Sequence, residues 1–368
     1  MRLVLVTEFY YPHLGGVTEH VHHLALELRR RGHDVTILTS HMRGEGTDPP
    51  FLRRLGTSRV IYSNGAFARI TTGWCLTRRI EGLLRETGAD LVHVQDGLAP
   101  VLGPLAANAA GRLGIPVVAT FHSWFPRSIG CRVFRRPLQR RLDRLAACIA
   151  VSEPVVAALS RYFTAPWEII PNGVDVDLFS PNGRRPTDYL TRGPRLLFLG
   201  RLDPRNGLDT ILAAMPRILE RYPDTRLVVA GDGPLRRVYE RVARPLGAAV
   251  WFVGRVNGER PHYYGTADLY LCPSTKASFG ITLLEAMACA TPMLASDITG
   301  FRELVAGGGE AALVPPREPA AWADAVVSLI GDPGRRAAMS EAGRTKAAGF
   351  AWPRVSDRVL AVYQRVLR

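Results

Sequence analysis

The stretch CPSTKASFGITLLEAMACATPMLASDITGFRELV, Cys272 to Val305, decides how the chain is read. A strand-like run ends at Cys272. A loop of small residues follows, then an apolar helix around Glu285, then a short buried strand and a second acidic turn. The loop and the helix N-terminus offer N–H groups to an anion. Glu285 can accept hydrogen bonds from paired hydroxyls, which suits a polyol or phosphate ligand. The same residues also make an ordinary strand–loop–helix unit with one exposed glutamate, so the rest of the chain has to decide.

Upstream of this stretch the same rhythm repeats. Arg195 to Leu199 reads as a strand, followed by Gly200-Arg201-Leu202-Asp203-Pro204-Arg205-Asn206-Gly207 and a helix to about Arg221. Arg226 to Ala230 leads to Gly231-Asp232-Gly233-Pro234, Val250 to Val253 to Gly254-Arg255-Val256, and Ala267 to Leu271 to the stretch itself. Strands alternating with helices predict a parallel, doubly wound sheet with ligand loops at the strand carboxyl ends. Residues 180–194 are rich in Pro, Gly, Arg and Asn and read as a linker.

The first half has its own β–loop–α–β opening. Met1 to Thr7 is a buried strand, Glu19 to Arg31 a helix closed by Gly32, and Asp34 to Ser40 a second strand. Gly15-Gly16 stands between them. It is not G-x-G-x-x-G, which supports dinucleotide redox binding only weakly, and a bare Gly-Gly turn is more often structural. Further β/α units follow: a turn at Asn64-Gly65, a helix from Thr77 to Arg85, strands at Asp90–Val94 and Pro116–Phe121, with His122 just past the second. Arg132 to Ala147 alternates arginines with Val133, Phe134, Leu138, Leu142 and Leu145, an amphipathic basic helix interrupted near Pro137. Its plain reading is a solvated face. Its sharper reading, with Arg78, Arg79, Arg53 and Arg54, is a face for anionic lipid headgroups.

Composition narrows the field. The chain of 368 residues is too long for one core, and 47% hydrophobic content allows two. No apolar run reaches the roughly 18 residues of a membrane span, and MRLVLVTEFYYP reads as a first strand and not as a signal peptide. Cys75, Cys131, Cys148, Cys272 and Cys289 are scattered, which points to free thiols in a reducing cytoplasm and away from zinc. The net charge of +14 is nearly all arginine. It suits phosphorylated substrates or an anionic membrane surface. No nucleic-acid module is present, and no nucleic-acid partner is expected.

These residues together resemble the family-4 retaining glycosyltransferases of the GT-B fold. The resemblance rests on Pro12 to Val17, Phe121-His122, IPNGVD from Ile170 to Asp175 with Phe179, Gly200-Arg201, Gly231-Asp232-Gly233-Pro234, and SFGITLLEAMA from Ser278 to Ala288, and it spans nearly the whole chain. The first half is further similar to the phosphatidylinositol mannosyltransferases in YSNGAFAR (Tyr62 to Arg69), the arginine-bearing helix from Thr77, DLVHV and TFH. The resemblance implies an α/β architecture of two Rossmann-like, doubly wound parallel-sheet domains facing a central cleft. Residues 1–180 would form the acceptor domain, joined by the C-terminal helix at about 352–368, and residues 190–350 the donor domain.

It also implies a chemistry. A hexose leaves a nucleotide sugar, GDP-mannose or a UDP-hexose, with no metal or other cofactor required. The anomeric configuration is retained by front-face substitution without an established protein nucleophile. The implied catalytic set is His122, Arg201 and Glu285. Arg201 would pair with the diphosphate and Glu285 with ribose hydroxyls. Backbone N–H groups near Phe279 and Gly280, in the loop from Ser278 to Ile281, would meet sugar or phosphate. The loop Gly254 to Asn257 would face the base. Gly15 and Gly16 would close on the donor, and His122 would touch the sugar near its reacting carbon. With phosphatidylinositol as acceptor, Asn64 and Arg69 would hold the inositol phosphate, with Tyr10 and Thr18 near the ring. Arg78, Arg79 and the Arg132–Arg144 helix would rest on the anionic leaflet. The protein would then be cytoplasmic, or peripheral on the inner face of the plasma membrane.

Two positions depart from the family pattern. Asn206, preceded by Arg205, stands where members carry Lys, and Ala277, preceded by Lys276, stands where they carry a sugar-reading Glu. Arg205 and Lys276 could restore the charge from one residue away, but nothing replaces the carboxylate. The same chemistry with another nucleotide sugar and a soluble acceptor, and a degenerate non-catalytic binding module, therefore stand as alternatives.

Overall fold

Runs of Val, Leu and Ile alternating with amphipathic stretches become parallel strands joined by helices, as sheets covered on both faces require. The computed structural model describes residues 1–13, 15–42, 44, 48–63, 66–181, 192–256 and 258–368. These fall into two units, Met1–Gly173 with Trp352–Arg368, and Val174–Ala351. The division lies at Gly173/Val174, ahead of the 180–194 stretch, of which 182–191 lie outside the described residues.

The first unit runs β1 (Arg2–Val6), α1 (Gly16–Arg30), β2 (Asp34–His41), β3 (Leu52–Ser63), β4 (Ala66–Thr72), α2 (Leu76–Thr87), β5 (Leu91–Gln95), α3 (Leu102–Arg112), β6 (Val117–Phe121), α4 (Ile129–Val133), α5 (Arg135–Leu142), β7 (Ala147–Ala150), α6 (Glu153–Ser160) and β8 (Trp167–Ile169). Its eight strands are ordered β4-β3-β2-β1-β5-β6-β7-β8. All neighbours are parallel except β3 and β4, an antiparallel pair at the edge. The expected doubly wound parallel sheet thus carries one antiparallel strand at its edge. The basic helix differs too. It starts at Ile129, where Ser128 Oγ accepts the Cys131 N–H, and it breaks at Phe134 and not at Pro137. Pro137 is the third residue of α5, where a missing N–H costs no helical bond.

The C-terminal helix, Trp352–Val366, belongs to this unit and packs Val355, Val359 and Tyr363 into its core with Leu3, Leu5, Leu24 and Ile149. His93, fully buried on β5, bridges the Tyr363 hydroxyl at 2.6 Å and Thr120 Oγ1 at 2.7 Å. Burial holds this imidazole neutral, pushing it down to about 3.

The second unit runs β9 (Arg195–Leu199), α7 (Leu208–Arg221), β10 (Arg226–Ala230), α8 (Arg236–Ala243), β11 (Val250–Gly254), α9 (Arg260–Thr266), β12 (Leu269–Cys272), α10 (Ile281–Ala288), β13 (Met293–Ser296), α11 (Thr299–Arg302), β14 (Ala312–Val314), α12 (Pro319–Ile330) and α13 (Pro333–Ala348). Its six strands are parallel in the order β11-β10-β9-β12-β13-β14. Leu196, Phe198, Leu227, Val229, Leu269, Leu271 and Leu294 meet α7 and α12 on one face around the fully buried Trp322.

Each sheet changes direction once, between β1 and β5 and between β9 and β12. At such switch points the loops leaving adjacent strands diverge and open a crevice at the carboxyl ends. In the first unit that place holds Glu8 and Asp96. Glu8 is buried and accepts from the N–H groups of Leu102 at 2.5 Å and Val101 at 3.0 Å and from Thr71 Oγ1, fastening α3 and β4 to the end of β1. Asp96 takes a left-handed φ of 55° and accepts the His122 N–H at 3.0 Å.

Burial pushes the Asp96 carboxyl up to about 6. An unfolded aspartate titrates at about 3.9. The folded chain therefore binds a proton that the unfolded chain has released, and this contribution to stability is present below about pH 4 and lost as pH rises through about 6. Asp96→Asn keeps an oxygen for the His122 N–H and removes the charge. It should match wild type near pH 4 and exceed it by about 1–3 kcal/mol at about pH 8, measured by denaturant unfolding at both pH values. A stability difference that does not change with pH would refute the titration.

Candidate active site

Arg201 leaves the end of β9 and the loop Pro273–Gly280 leaves the end of β12, so both rise from the second switch point. The two loops are tied together. The Thr275 N–H donates to the Arg205 carbonyl at 2.7 Å. Asn206 Nδ2 donates to the Arg201 carbonyl at 2.7 Å, and Ser274 Oγ donates to Asn206 Oδ1 at 3.4 Å. Gly207 sits at φ 69°, and a side chain there would run into the Pro273 carbonyl, so glycine is needed for this approach. Asn206, where a lysine was expected, is thus spent inside the fold as a clasp between the loops.

The cations of this corner are Arg201 and Arg205. Their side chains are 39% and 46% exposed, and they share Asp203, with Arg201 Nε 4.0 Å and Arg205 Nη2 3.4 Å from Oδ2. Asp203 also caps the turn Pro204–Asn206 by accepting the Arg205 N–H. Two half-exposed guanidiniums against one buried carboxylate leave net positive charge facing solvent. Lys276 is exposed beside them.

Gly280 precedes α10 with φ 103°, and its carbonyl accepts from Leu283 and Leu284. Ile281 is the first helical residue, so the N–H groups there have no intrahelical partner. Phe279 is buried with its ring 6.0 Å from Phe350, and Ser278 is half-buried. Behind Ala277 lies Gly300, so close that a side chain on Gly300 would strike the Ala277 carbonyl.

Glu285 is not the exposed glutamate of the plain reading. It is 2% exposed. Its Oε1 accepts from Arg260 Nη1 at 2.8 Å and its Oε2 from the Tyr264 hydroxyl at 3.0 Å. The sequence reading missed both donors. They lie on α9, more than 20 residues upstream, and only tertiary packing brings them to the carboxylate. Asn257 lies outside the described residues.

In the first unit, Gly15 is exposed ahead of α1, and its carbonyl accepts the Glu19 N–H at 3.1 Å; Gly16 is the first helical residue. His122 turns inward and is 8% exposed. Its Nε2 meets Gln95 Oε1 at 2.7 Å. Burial and the neighbouring His20, whose ring lies 4.8 Å away edge-on, hold His122 neutral. Tyr10 and Thr18 are buried, with their hydroxyls on His22 Nδ1 at 2.9 Å and the His13 carbonyl at 2.9 Å. Both side chains are used in packing the β1–α1 connection, not presented as free hydroxyls. Arg69 lies on β4 with Nη1 3.2 Å from Ser58 Oγ, and Asn64 lies outside the described residues.

All five cysteines are unpaired. Among the described residues no group of His, Cys, Asp and Glu is arranged to hold a metal ion, and no helix is long and apolar enough to cross a membrane.

Comparison with known proteins places these features. Residues 14–178 match the family described as Glycosyltransferase Family 4, and residues 184–346 match Glycosyl transferases group 1. A phosphatidyl-myo-inositol mannosyltransferase of Mycobacterium tuberculosis is 32% identical, over 100% of this chain and 97% of that protein. A glycogen synthase of the same organism is 30% identical, over 99% of this chain and 94% of that enzyme. In fold the chain is similar to sucrose-phosphate synthase of Thermosynechococcus elongatus, with a TM-score of 0.78 at 22% identity over 99% and 98% of the two chains. With both halves matched and a full-length relative at this identity, the chain belongs to glycosyltransferase family 4 and is a glycosyltransferase with the GT-B type of paired parallel-sheet domains.

Proposed function

We propose that this protein moves a hexose, mannose from GDP-mannose in the first instance, to a lipid-linked acceptor such as phosphatidylinositol, with retention of configuration. The observation that carries the reading is the placing of Arg201, Arg205 and the first turn of α10 at one switch point, with the buried Glu285 on the same helix. A nucleoside diphosphate needs those two things together: donors for the phosphates and an acceptor for the ribose hydroxyls. Arg201 would oppose the negative charge that grows on the leaving diphosphate. His122, held neutral by burial, suits a positioning contact and not proton donation to a leaving group. The lipid acceptor is supported by the full-length likeness to the mannosyltransferase.

It is also supported by the surface of the first unit. Ile129, Val133 and Phe134 are 83%, 67% and 58% exposed, on and beside α4, and Trp74 before α2 is 87% exposed. Arg132, Arg135, Arg136, Arg140 and Arg141 are exposed around the first group, and Arg78 and Arg79 are exposed on α2. Apolar side chains that reach solvent in the same segment as exposed arginines fit the boundary between acyl chains and anionic headgroups. Each basic residue there contributes about 1 kcal/mol.

A second reading keeps the chemistry and changes both substrates. The glycogen synthase likeness and Ala277 favour a different nucleotide hexose and a soluble glycan acceptor.

Two measurements test this. Nucleotide release should depend on donor and acceptor together across a panel of GDP- and UDP-sugars with phosphatidylinositol or soluble glycans. Arg201→Ala and Glu285→Ala should each weaken donor binding by about 2–4 kcal/mol, the loss typical of a charged contact. Donor affinity equal to wild type in either variant would remove that residue from the site, and no release with any pair would leave only the binding module. Separately, the full chain should co-sediment with vesicles containing phosphatidylinositol far more than with neutral phosphatidylcholine vesicles, the excess falling with salt. Arg135→Glu with Arg136→Glu should abolish the excess. Equal binding to both vesicles would refute the membrane face and favour the soluble acceptor.

A further inference from the structure

We propose that Arg260 is a positioning residue for Glu285, fixing the orientation of the carboxylate that would receive the ribose hydroxyls. The inference rests on the donor site proposed above and adds to it a residue that the family motifs do not contain.

A carboxylate as enclosed as Glu285 drifts toward its neutral form unless something holds the charge, because burial penalises the ionised state. A neutral carboxyl offers a proton where two hydroxyls need acceptors. Arg260 Nη1 lies 2.8 Å from Oε1, with the two side chains 17% and 3% exposed. That is a charge-assisted bond in a place where water screens little. The Tyr264 hydroxyl donates to the other oxygen. Tyr264 is itself fully buried, and burial with the Glu285 charge beside it pushes the phenol well up, so it stays a donor.

Other titratable groups among the described residues lie near Glu285. On β12, Tyr270 and Cys272 are buried, and burial raises both. Cys289, just past α10, is raised by burial. Arg344 of α13 spends Nη1 on the carbonyls of Ala288, Val176 and Phe179.

Arg260 is in turn held from behind. Its guanidinium carbon lies 5.4 Å from the centre of the Phe179 ring, which is 2% exposed and 6.2 Å from the Tyr264 ring. Phe179 is fixed by its N–H to the Asp175 carbonyl at 2.9 Å. Thr291 Oγ1 donates to the Tyr264 carbonyl at 2.9 Å and anchors α9 beyond the end of α10. The carboxylate thus has a cation on one oxygen, a phenol on the other and an aromatic shelf beneath the cation. An isolated buried pair adds little net stability. Its effect is to set where the Glu285 lone pairs point.

The experiment titrates GDP and UDP calorimetrically into the full-length protein between about pH 5.5 and 8.5. Wild type should bind one of them with an affinity that Glu285 leaves flat over this range. In Arg260→Met the carboxyl loses its cation and takes up a proton at higher pH. Affinity should fall by about tenfold or more near pH 6 and recover as pH rises and the carboxyl ionises. Arg260→Lys should restore both the flat profile and affinity to within about threefold. If Arg260→Met does not fold, Arg260→Gln takes its place with the same expectation. Wild-type affinity and profile in the Met variant would overturn the positioning role while leaving the donor site standing. So would equal, pH-independent losses in Met and Lys, which mark a merely structural pair. Failure of wild type to bind either nucleotide would overturn the donor site and this inference with it.

Discussion

The backbone tie between the loops after β9 and β12 is the constraint from which the candidate site follows. A parallel sheet that reverses its winding leaves two strand ends side by side with their loops going opposite ways. Here those loops are brought back together by the Thr275 N–H on the Arg205 carbonyl and by Ser274 Oγ on Asn206 Oδ1. The approach is close enough that position 207 admits no side chain. Once this is fixed, Arg201 and Arg205 emerge on one side and the first turn of α10 on the other. The helix start, the two cations and Glu285 one turn further in are consequences of one local packing.

The same tie explains how a departure from the family pattern is absorbed. A lysine at 206 would bring charge to the phosphates but could not both donate to a carbonyl and accept from Ser274, as an amide does. Asn206 does both. The positive charge then rests on Arg205, one residue earlier and half exposed, sharing Asp203 with Arg201. An arginine reaches further than a lysine and offers a planar fork, so the displacement by one residue is within the reach of the side chain.

Much of the fold was legible because strands covered on both faces must be continuous apolar runs, and RLVLV, LVHVQ, RLLFL and RLVVA are such runs. The edge pair β3 and β4 was not legible as antiparallel, since an edge strand carries no such run and its partner is set by pairing. The break in the basic helix was placed at Pro137 because proline is costly inside a helix, yet the structure starts a new helix two residues before it. Arg201, Glu285 and the Ser278–Ile281 loop were singled out through motif and position. Asp203, Arg260 and Tyr264 were not, because their partners are distant in sequence or are ordinary turn residues, and no local pattern distinguishes them from solvated charge.

On the proposed reading, Ala277 alters what the second unit can recognise. A glutamate there would accept from sugar hydroxyls and would leave buried lone pairs unsatisfied with the wrong hexose, which is how a polar site rejects a near relative of its substrate. Alanine brings no such penalty, and the backbone at this point is already pressed against Gly300. What remains around the loop is positive: Lys276 exposed, Arg205 and Arg201 half exposed. Binding energy then concentrates on the diphosphate, which any nucleotide sugar supplies, and discrimination shifts to the nucleoside end. There the acceptor is Glu285, a single carboxylate with little exposure. A site that has lost one of two hydroxyl-reading acids depends more heavily on the geometry of the other, and that geometry is set by a cation and a phenol on α9.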